Sequence, residues 1–503
     1  MAMDAERIPV IVGVGQFNDR PENPDDGLDS VGLMEQALRL ADQDAGGGWL
    51  KDLDAIATVD QISWPHLTEI PQKLAAAFGA NPKHLETTDM ASGDSPILLL
   101  NEAANRIGSG EHKIAAVVGG EALRSAAHFA KKAAAEGKTF GGLGSSVAEM
   151  AANAAPSYRK RYGLLGPVDV YPLYENAGRA AYGQTLDEGQ DESAQIWSLF
   201  AEVAKYNEGA WIRKGATPEE VKTVTPNNRP ISHPYSKLMV ANSSVNQGAG
   251  YIVTSLAEAR RRGVPEDKLI YVGLGAAGHE PDEPLERDRY DQSPSMALSI
   301  NKALELNKLN SSDLDYVELY SCFPCVPKMA RRVLDWPLDK PATVHGGLTF
   351  GGGPIGNYMA HAVVCMVEKL RESGSKGLLF ANGGYATHNH SLVLSKEPMD
   401  HAQFPQEFLF QDEADAARGA IPPVNENYEG PAEIETFTVL YGRDGSPRWG
   451  VVYARTPDGA RTLAKIPAED EAGIAFLTDG KAEPVGSQGK VVAVANGDHI
   501  WQR

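Results

Sequence analysis

The sequence predicts an α/β protein whose core is a duplicated strand–helix unit, with a helix-and-loop insertion and a small C-terminal all-β domain. Three observations lead there. Elements recur in the same order in two parts of the chain, one glycine-dense stretch precedes an apolar helix, and composition changes after Pro405.

The first copy opens with Ile8-Pro9-Val10-Ile11-Val12-Gly13-Val14-Gly15, a continuous apolar run that reads as a buried strand. A helical pattern over 28–42 follows, then the strand Leu53 to Val59. The small-residue loop Met90-Ala91-Ser92-Gly93-Asp94-Ser95-Pro96 opens a helix over 97–107, and Ile114 to Glu121 is a third strand. The second copy repeats this with Lys268 to Gly275, a helix over 293–306, Leu314 to Tyr320, a glycine loop with its helix, and Gly377 to Tyr385. Alternating strands and helices predict parallel sheets covered on both faces. Two tandem units should pack about a pseudo-twofold axis, with both loops at one crevice.

The glycine loop runs from His345 to Asn357 and holds six glycines between Gly346 and Gly356. Such density suits backbone that takes positive φ or passes close to a ligand. Met359, Val363, Met366, Val367 and Leu370 follow at helical spacing, so the loop should open a buried helix whose free N–H groups face a polarised carbonyl or an anion. His345, just before the run, reads as a cap or a backbone partner.

Four segments result: residues 1–124 and 241–400 as the two halves, 125–240 as the insertion, and 401–503 as the added domain. The insertion mixes aromatic and basic residues (Tyr158-Arg159-Lys160-Arg161-Tyr162, Trp211-Ile212-Arg213-Lys214) and suits a cover that offers charge to phosphates, although each cluster alone also reads as a solvated helix face. After Pro405, Ala414 to Gly419 and Pro422-Pro423 read as a linker. Short strands with Gly/Pro turns then predict a β meander in a small barrel or sandwich, of the OB type.

A net charge of −20 and a pI near 5.1 argue against nucleic acid as a partner. Three cysteines in 503 residues exclude a disulfide framework and suit a reducing compartment. No apolar run reaches membrane-span length and the N-terminus lacks a signal-peptide pattern, so a cytoplasmic protein is expected. No group of His, Cys, Asp and Glu has metal-ligand spacing, so no metal is expected.

The duplicated architecture together with Gly346-Gly347-Leu348-Thr349-Phe350-Gly351-Gly352-Gly353-Pro354-Ile355-Gly356 resembles the thiolase superfamily over residues 7–396. Gly119-Gly120-Glu121-Ala122 and Ser243-Ser244-Val245-Asn246-Gln247-Gly248-Ala249 match further family segments, and Glu318-Leu319-Tyr320-Ser321-Cys322-Phe323 is nearest to the sterol-carrier type. The resemblance implies a five-layered αβαβα core, and thiolase-like proteins with an appended C-terminal β domain are known. It also implies binding of CoA or an acyl-CoA and acyl transfer, or carbon–carbon bond formation or cleavage, at a thioester.

The resemblance breaks at the catalytic positions. The family's nucleophilic cysteine falls on Met90, its activating histidine on Gly353, its second cysteine on Ala381, and its oxyanion-holding side chain on Tyr320. A thioether, a hydrogen and a methyl group cannot perform those tasks. An unconventional set would draw on Ser92 as nucleophile or helix cap, Tyr320 as donor, Cys322 as nucleophile or small buried hydrophobe, and His388 or His390 as base or satisfied loop histidines. Cys322-Phe323-Pro324-Cys325 also has redox-motif spacing.

By resemblance Ser243 matches a residue that contacts the pantetheine arm; Gly352 and Gly353 are further cofactor-binding candidates, and Arg213, Lys214 and Arg229 are the candidates for the phosphates. The expected function is a thiolase-like acyl-CoA-binding protein with acyltransferase chemistry from non-standard residues. The alternative is a non-catalytic acyl-CoA-binding or scaffold protein. A homodimer through an edge strand, or a partner enzyme on the C-terminal domain, completes the expectations.

Overall fold

The computed structural model describes residues 4–140, 154–495 and 497–503. The first half holds strands β1 (Pro9–Asn18), β2 (Ala55–Thr58), β3 (His84–Thr87) and β4 (Ile114–Ala122) with helices α1 (Ser30–Asp44), α2 (Ile70–Phe78) and α3 (Ser95–Ser109). The insertion adds α4 (Leu123–Ala135), α5 (Ser157–Tyr162), α6 (Pro167–Ala181), α7 (Leu186–Tyr206), α8 (Pro218–Lys222) and the short β5 (Pro230–Ser232) and β6 (Tyr235–Ser236). Strand β7 (Asn246–Ser255) and α9 (Leu256–Arg261) lead to the second half. There stand β8 (Ile270–His279), α10 (Pro294–Leu306), β9 (Tyr316–Leu319), α11 (Cys325–Leu334), α12 (Tyr358–Glu372), β10 (Lys376–Gly383) and β11 (His388–Ser395).

One nine-stranded sheet runs β3-β2-β4-β7-β1-β8-β11-β10-β9. Strands β1 and β8 meet only through Val10–Tyr271 and Ile11–Ile270. Read outward from that junction, the halves run β1-β7-β4-β2 and β8-β11-β10-β9, so the repeat in the sequence is a repeat in space. The expectation of parallel sheets needs correcting: β7 and β11 run antiparallel to both of their neighbours. Strands β10 and β11 are joined by the tight turn 384–387, and a hairpin connection permits only antiparallel pairing.

Five layers result. Helices α1 and α2 cover the outer face of the first half, α10 and α11 that of the second, and α3 and α12 pack on each other between the two halves of the sheet. The central helix α12 is buried without a break from Tyr358 to Val367, as a helix enclosed on every side must be. On the outside, α1 buries only one stripe, Leu33, Met34, Ala37, Leu38 and Ala41, and the Asp29 side chain caps its start on the Gly32 N–H.

The segment 414–419 is not a linker loop. Helix α13 (Gln411–Ala417) forms there, with Ala414 buried and Arg418 paired to Glu280. Just before it, the backbone of Phe408 and Phe410 bonds the free edge of β8 at Ala277 (2.7 and 2.9 Å). The C-terminal strands are β12 (Gly430–Tyr441), β13 (Pro447–Arg455), β14 (Arg461–Pro467), β15 (Gln488–Ala493) and β16 (His499–Gln502). They close in the order β12-β13-β14-β16-β15-β12, a barrel rather than a meander, because β16 inserts parallel to β14. The domain is not purely β: helix α14 (Glu471–Thr478) lies between β14 and β15. Ile434, Phe437, Val452, Ile466 and Trp501 belong to the barrel core, and β12 reaches on to β5 of the insertion through Leu440–Ser232.

Candidate functional site

The N-termini of the two central helices define the site, because each is reached through a loop of small residues. Gly356, at φ +75°, stands so close to the loop before α3 that a Cβ there would lie 3.0 Å from Ala91. The glycine run is fixed from several sides. Trp211 and Ile212 donate backbone bonds to Gly351 O and Phe350 O (2.9 and 2.7 Å), and Asn242 is bonded to both Leu348 and Gly353 (3.0 and 2.9 Å). Gln247 Nε2 adds a second donor to Gly351 O at 2.9 Å. Half-buried Ser243 therefore sits one residue from the glycine run, and Gly352, at φ +104°, lies against Gln247.

On the facing loop, Ser92 Oγ donates to Asp94 Oδ1, and a Cβ at Gly383 would fall 2.0 Å from that oxygen, so the hydroxyl lies against the end of β10. The hydroxyl does not cap α3. Met90 projects outward and is 57% exposed, whereas Ala381 is fully buried in β10. Gly353 offers only its N–H, which Asn242 O accepts.

Tyr320 closes the floor. Its backbone N–H bonds Phe380 O at 3.0 Å, and its hydroxyl would lie 2.4 Å from a Cβ at Gly93, so only glycine fits beneath the ring. Burial raises its phenol well above the ordinary range, which keeps it a neutral donor. Tyr171 of α6 reaches the same floor: its hydroxyl lies 3.0 Å from Gly384 O and 3.2 Å from Asn382 Oδ1, and accepts from the Ala386 N–H at 2.9 Å. The ring stacks on Phe323 at 4.6 Å. Burial pushes the nearby Cys322 thiol up to about 12, so it is a thiol and not a thiolate near neutral pH.

His388 and His390 share one face of β11 but serve different partners. His388 Nε2 is 3.6 Å from Asp282, and its ring meets His279 edge-on at 4.7 Å. His390 Nε2 is 3.2 Å from Asn101 Oδ1, its ring stacks on Phe408, and burial lowers it to about 4, so it is neutral. Asp94 lies within electrostatic reach of both His279 and His390. Ser92, Asp94 and the histidines thus converge, with the hydroxyl bonded to a carboxylate and not to an imidazole. His345, ahead of the glycine run, accepts from Asn207 at 2.8 Å and is likewise held neutral, near 4, by burial.

Beside the glycine loop lies a cluster of arginines. The Arg20 guanidinium covers the Trp211 ring at 3.9 Å and donates to Trp211 O; Arg124 is 5.9 Å from the same ring. Burial and the charges of Arg124 and Arg213 lower the Arg20 pKa. None of the three is ion-paired among the described residues. Lys214 is exposed on the same turn as Arg213, while the Arg229 guanidinium bonds Pro230 O at 3.0 Å.

Asp94 stands near Ser92 in the loop read as able to carry chemistry, whereas Arg20, Arg124, Tyr171 and His279 are not marked in the sequence. Each is a single residue in an otherwise ordinary segment, and only the fold gathers them. A separate cleft of about 1120 Å³ runs along β1 from Val14 to Asn18. Asp44, Glu202, Glu208, Glu368 and Glu372 line it against Lys369, so it repels phosphates.

A family model described as the thiolase-like protein type 1 additional C-terminal domain matches residues 412–497. A monomeric SCP2-thiolase like protein type 1 from Mycobacterium smegmatis is 31% identical, with a TM-score of 0.82 over 100% of this chain and 99% of its own. A probable acetyl-CoA acetyltransferase from Dictyostelium discoideum is 30% identical over 175 residues, 34% of this chain and 39% of the relative, so well under half of that relative is spanned. The human mitochondrial 3-ketoacyl-CoA thiolase in complex with CoA shares the fold, with a TM-score of 0.56 at 14% identity over 79% of this chain and 100% of its own.

Proposed function

Because this chain belongs to the SCP2-thiolase-like proteins of type 1, we propose that it binds a CoA thioester without the cysteine–histidine chemistry of a thiolase. The acyl end lies in the crevice between the loops before α3 and α12, with Ser243 and the Gly352-Gly353 backbone along the pantetheine arm. The observation that carries this reading is the gathering of Arg20, Arg124 and Arg213 around Trp211 on a chain of net charge −20. Guanidiniums held together against their own repulsion favour an anion, and phosphate takes charge-assisted bonds from them. The CoA-bound human enzyme and the acetyl-CoA acetyltransferase relative support the same ligand class.

A second reading, acyl transfer, is favoured by the Ser92–Asp94 bond. Ser92 Oγ would attack the thioester carbonyl and pass its proton to Asp94. Tyr320 and the backbone N–H groups at the loop would face the oxyanion, and the CoA thiolate would leave. Cys322, His388 and His390 have weaker claims, since the thiol is protonated and His390 is held by Asn101. We read the C-terminal barrel as OB-like and as a docking surface for a partner protein in acyl-CoA or lipid metabolism, and we place the chain in the cytoplasm. No described helix is long and apolar enough to cross a membrane.

Calorimetric titration with CoA and acetyl-CoA, followed by intact-mass analysis, tests both readings. One-to-one binding that weakens with salt and leaves no adduct is the expected result. An acyl adduct on Ser92 selects the second reading, and absence of binding overturns the first.

A further inference from the structure

The edge strand β3 and the turn between α3 and β4 bring His84, Glu111 and His112 together, far from the loops described above. Their ligand atoms all lie within 4.8 Å of one another. The two imidazoles are 5.3 Å apart between centroids, and His112 Nε2 is 3.9 Å from Glu111 Oε1. The His112 side chain is only 5% exposed, yet its Nε2 has no hydrogen-bond partner. A buried imidazole nitrogen left unpaired is costly unless something else fills its lone pair. Asp54 holds the two segments in register. Its carbonyl accepts the N–H groups of Lys83 and His84 (2.9 and 3.1 Å), and its Oδ2 accepts those of Lys113 and Ile114 (3.0 and 3.2 Å). The histidines are thus presented by a rigid frame.

We propose that His84, His112 and Glu111 bind one divalent transition-metal ion of the zinc type. Two imidazoles and one carboxylate are a donor set such ions prefer over magnesium or calcium. A tetrahedral ion needs ligand atoms about 3.4 Å apart, so the set must draw in from within 4.8 Å, by rotation of the Glu111 side chain, 58% exposed, and a small shift of the part-exposed His84 ring. Glu86 Oε2, 2.9 Å from His84 Nε2 and also bonded to Arg106, orients the His84 ring from behind. The bound ion would clamp the sheet edge to the turn after α3.

The full-length protein, stripped with a chelator and exchanged into metal-free buffer, is titrated with cobalt(II) and with zinc(II) alone. One equivalent of cobalt should give visible absorption bands of tetrahedral intensity that zinc displaces, and zinc should raise the melting temperature. His84→Gln and Glu111→Gln lie at the surface and keep the fold. Each should weaken zinc about 100-fold or more, beyond the loss typical of an outer ligand, and His112→Gln should abolish the cobalt bands. No saturable binding by the parent, or binding retained by both His84→Gln and Glu111→Gln, overturns the proposal.

Discussion

Ser92 Oγ donates to the Asp94 carboxylate, and the same loop turns the side chain of Met90, at the family's nucleophile position, out to solvent. The two facts are why the proposed acyl transfer is assigned to oxygen and not to sulfur. A carboxylate beside a hydroxyl is a weaker activator than an imidazole, which is why binding ranks above turnover here.

Restoring the family's sulfur should therefore fail. Met90→Cys adds a thiol on a loop position that is 57% exposed, with no imidazole at Gly353 and no second thiol at Ala381. Thiolysis of acetoacetyl-CoA, followed as acetyl-CoA release, should stay at the background of the parent. A clear gain in turnover would show that the crevice supplies activation from another group.

The arginine cluster makes a quantitative forecast. A hydrogen bond to a charged group contributes about 1.5–3 kcal/mol, so Arg20→Ala should weaken CoA at least about tenfold. Arg213→Ala should weaken it less, since that side chain is exposed. Dephospho-CoA and pantetheine separate the parts: if the cluster holds phosphate, Arg20→Ala leaves pantetheine affinity unchanged.

The core of this fold was legible because its signals are local. Gly13-Val14-Gly15 and Gly273-Leu274-Gly275 recur inside the equivalent buried strands β1 and β8, and the apolar spacing from Met359 to Leu370 marks the central helix. What stayed hidden depends on pairing. Strand β3 has four half-exposed or exposed residues and little β character. Strands β7 and β11 are antiparallel through their place in the sheet, which no residue announces. The helix over 411–417 reads as linker because its single buried alanine and the Arg418–Glu280 pair matter only against β8 and α10. In the site, Met90, Gly353 and Ala381 stand out in the sequence only through the resemblance to the family. Arg20, at the exit of β1, and Arg124, at the start of α4, become a pair only once the insertion brings Trp211 between them.

Acid should destabilise the protein through its buried histidines. His345 and His390 are each held near 4 by burial, against about 6.5 when unfolded. A histidine lowered in this way contributes its stability above the unfolded value and loses it as pH falls from about 6.5 to 4. Each shift corresponds to order 3 kcal/mol. Urea unfolding measured across that window should show the loss. His390→Gln keeps a donor for Asn101 Oδ1, removes one titrating ring, and should flatten part of the slope. An unchanged profile would mean that His390 gains a proton without cost.

The barrel is held to the second half by Arg461, and its removal should free it. Arg461 is fully buried. Two of its nitrogens grip both oxygens of Glu435 at 2.7 Å, and a third reaches the carbonyls of Leu285 and Arg287. Arg461→Ala leaves Glu435 only its bond from Arg455 and strands two carbonyls, a loss of about 3–5 kcal/mol for a broken buried pair. Arg461→Lys keeps the charge but not the planar fork, so it should recover only part of that. The readouts are the melting temperature and trypsin cleavage at Arg418, where chain leading to the barrel is pinned by Glu280. Faster cleavage in the order alanine, lysine, parent is expected. Equal rates for all three would show that the β12–β5 pairing and the barrel's other contacts suffice to keep it docked.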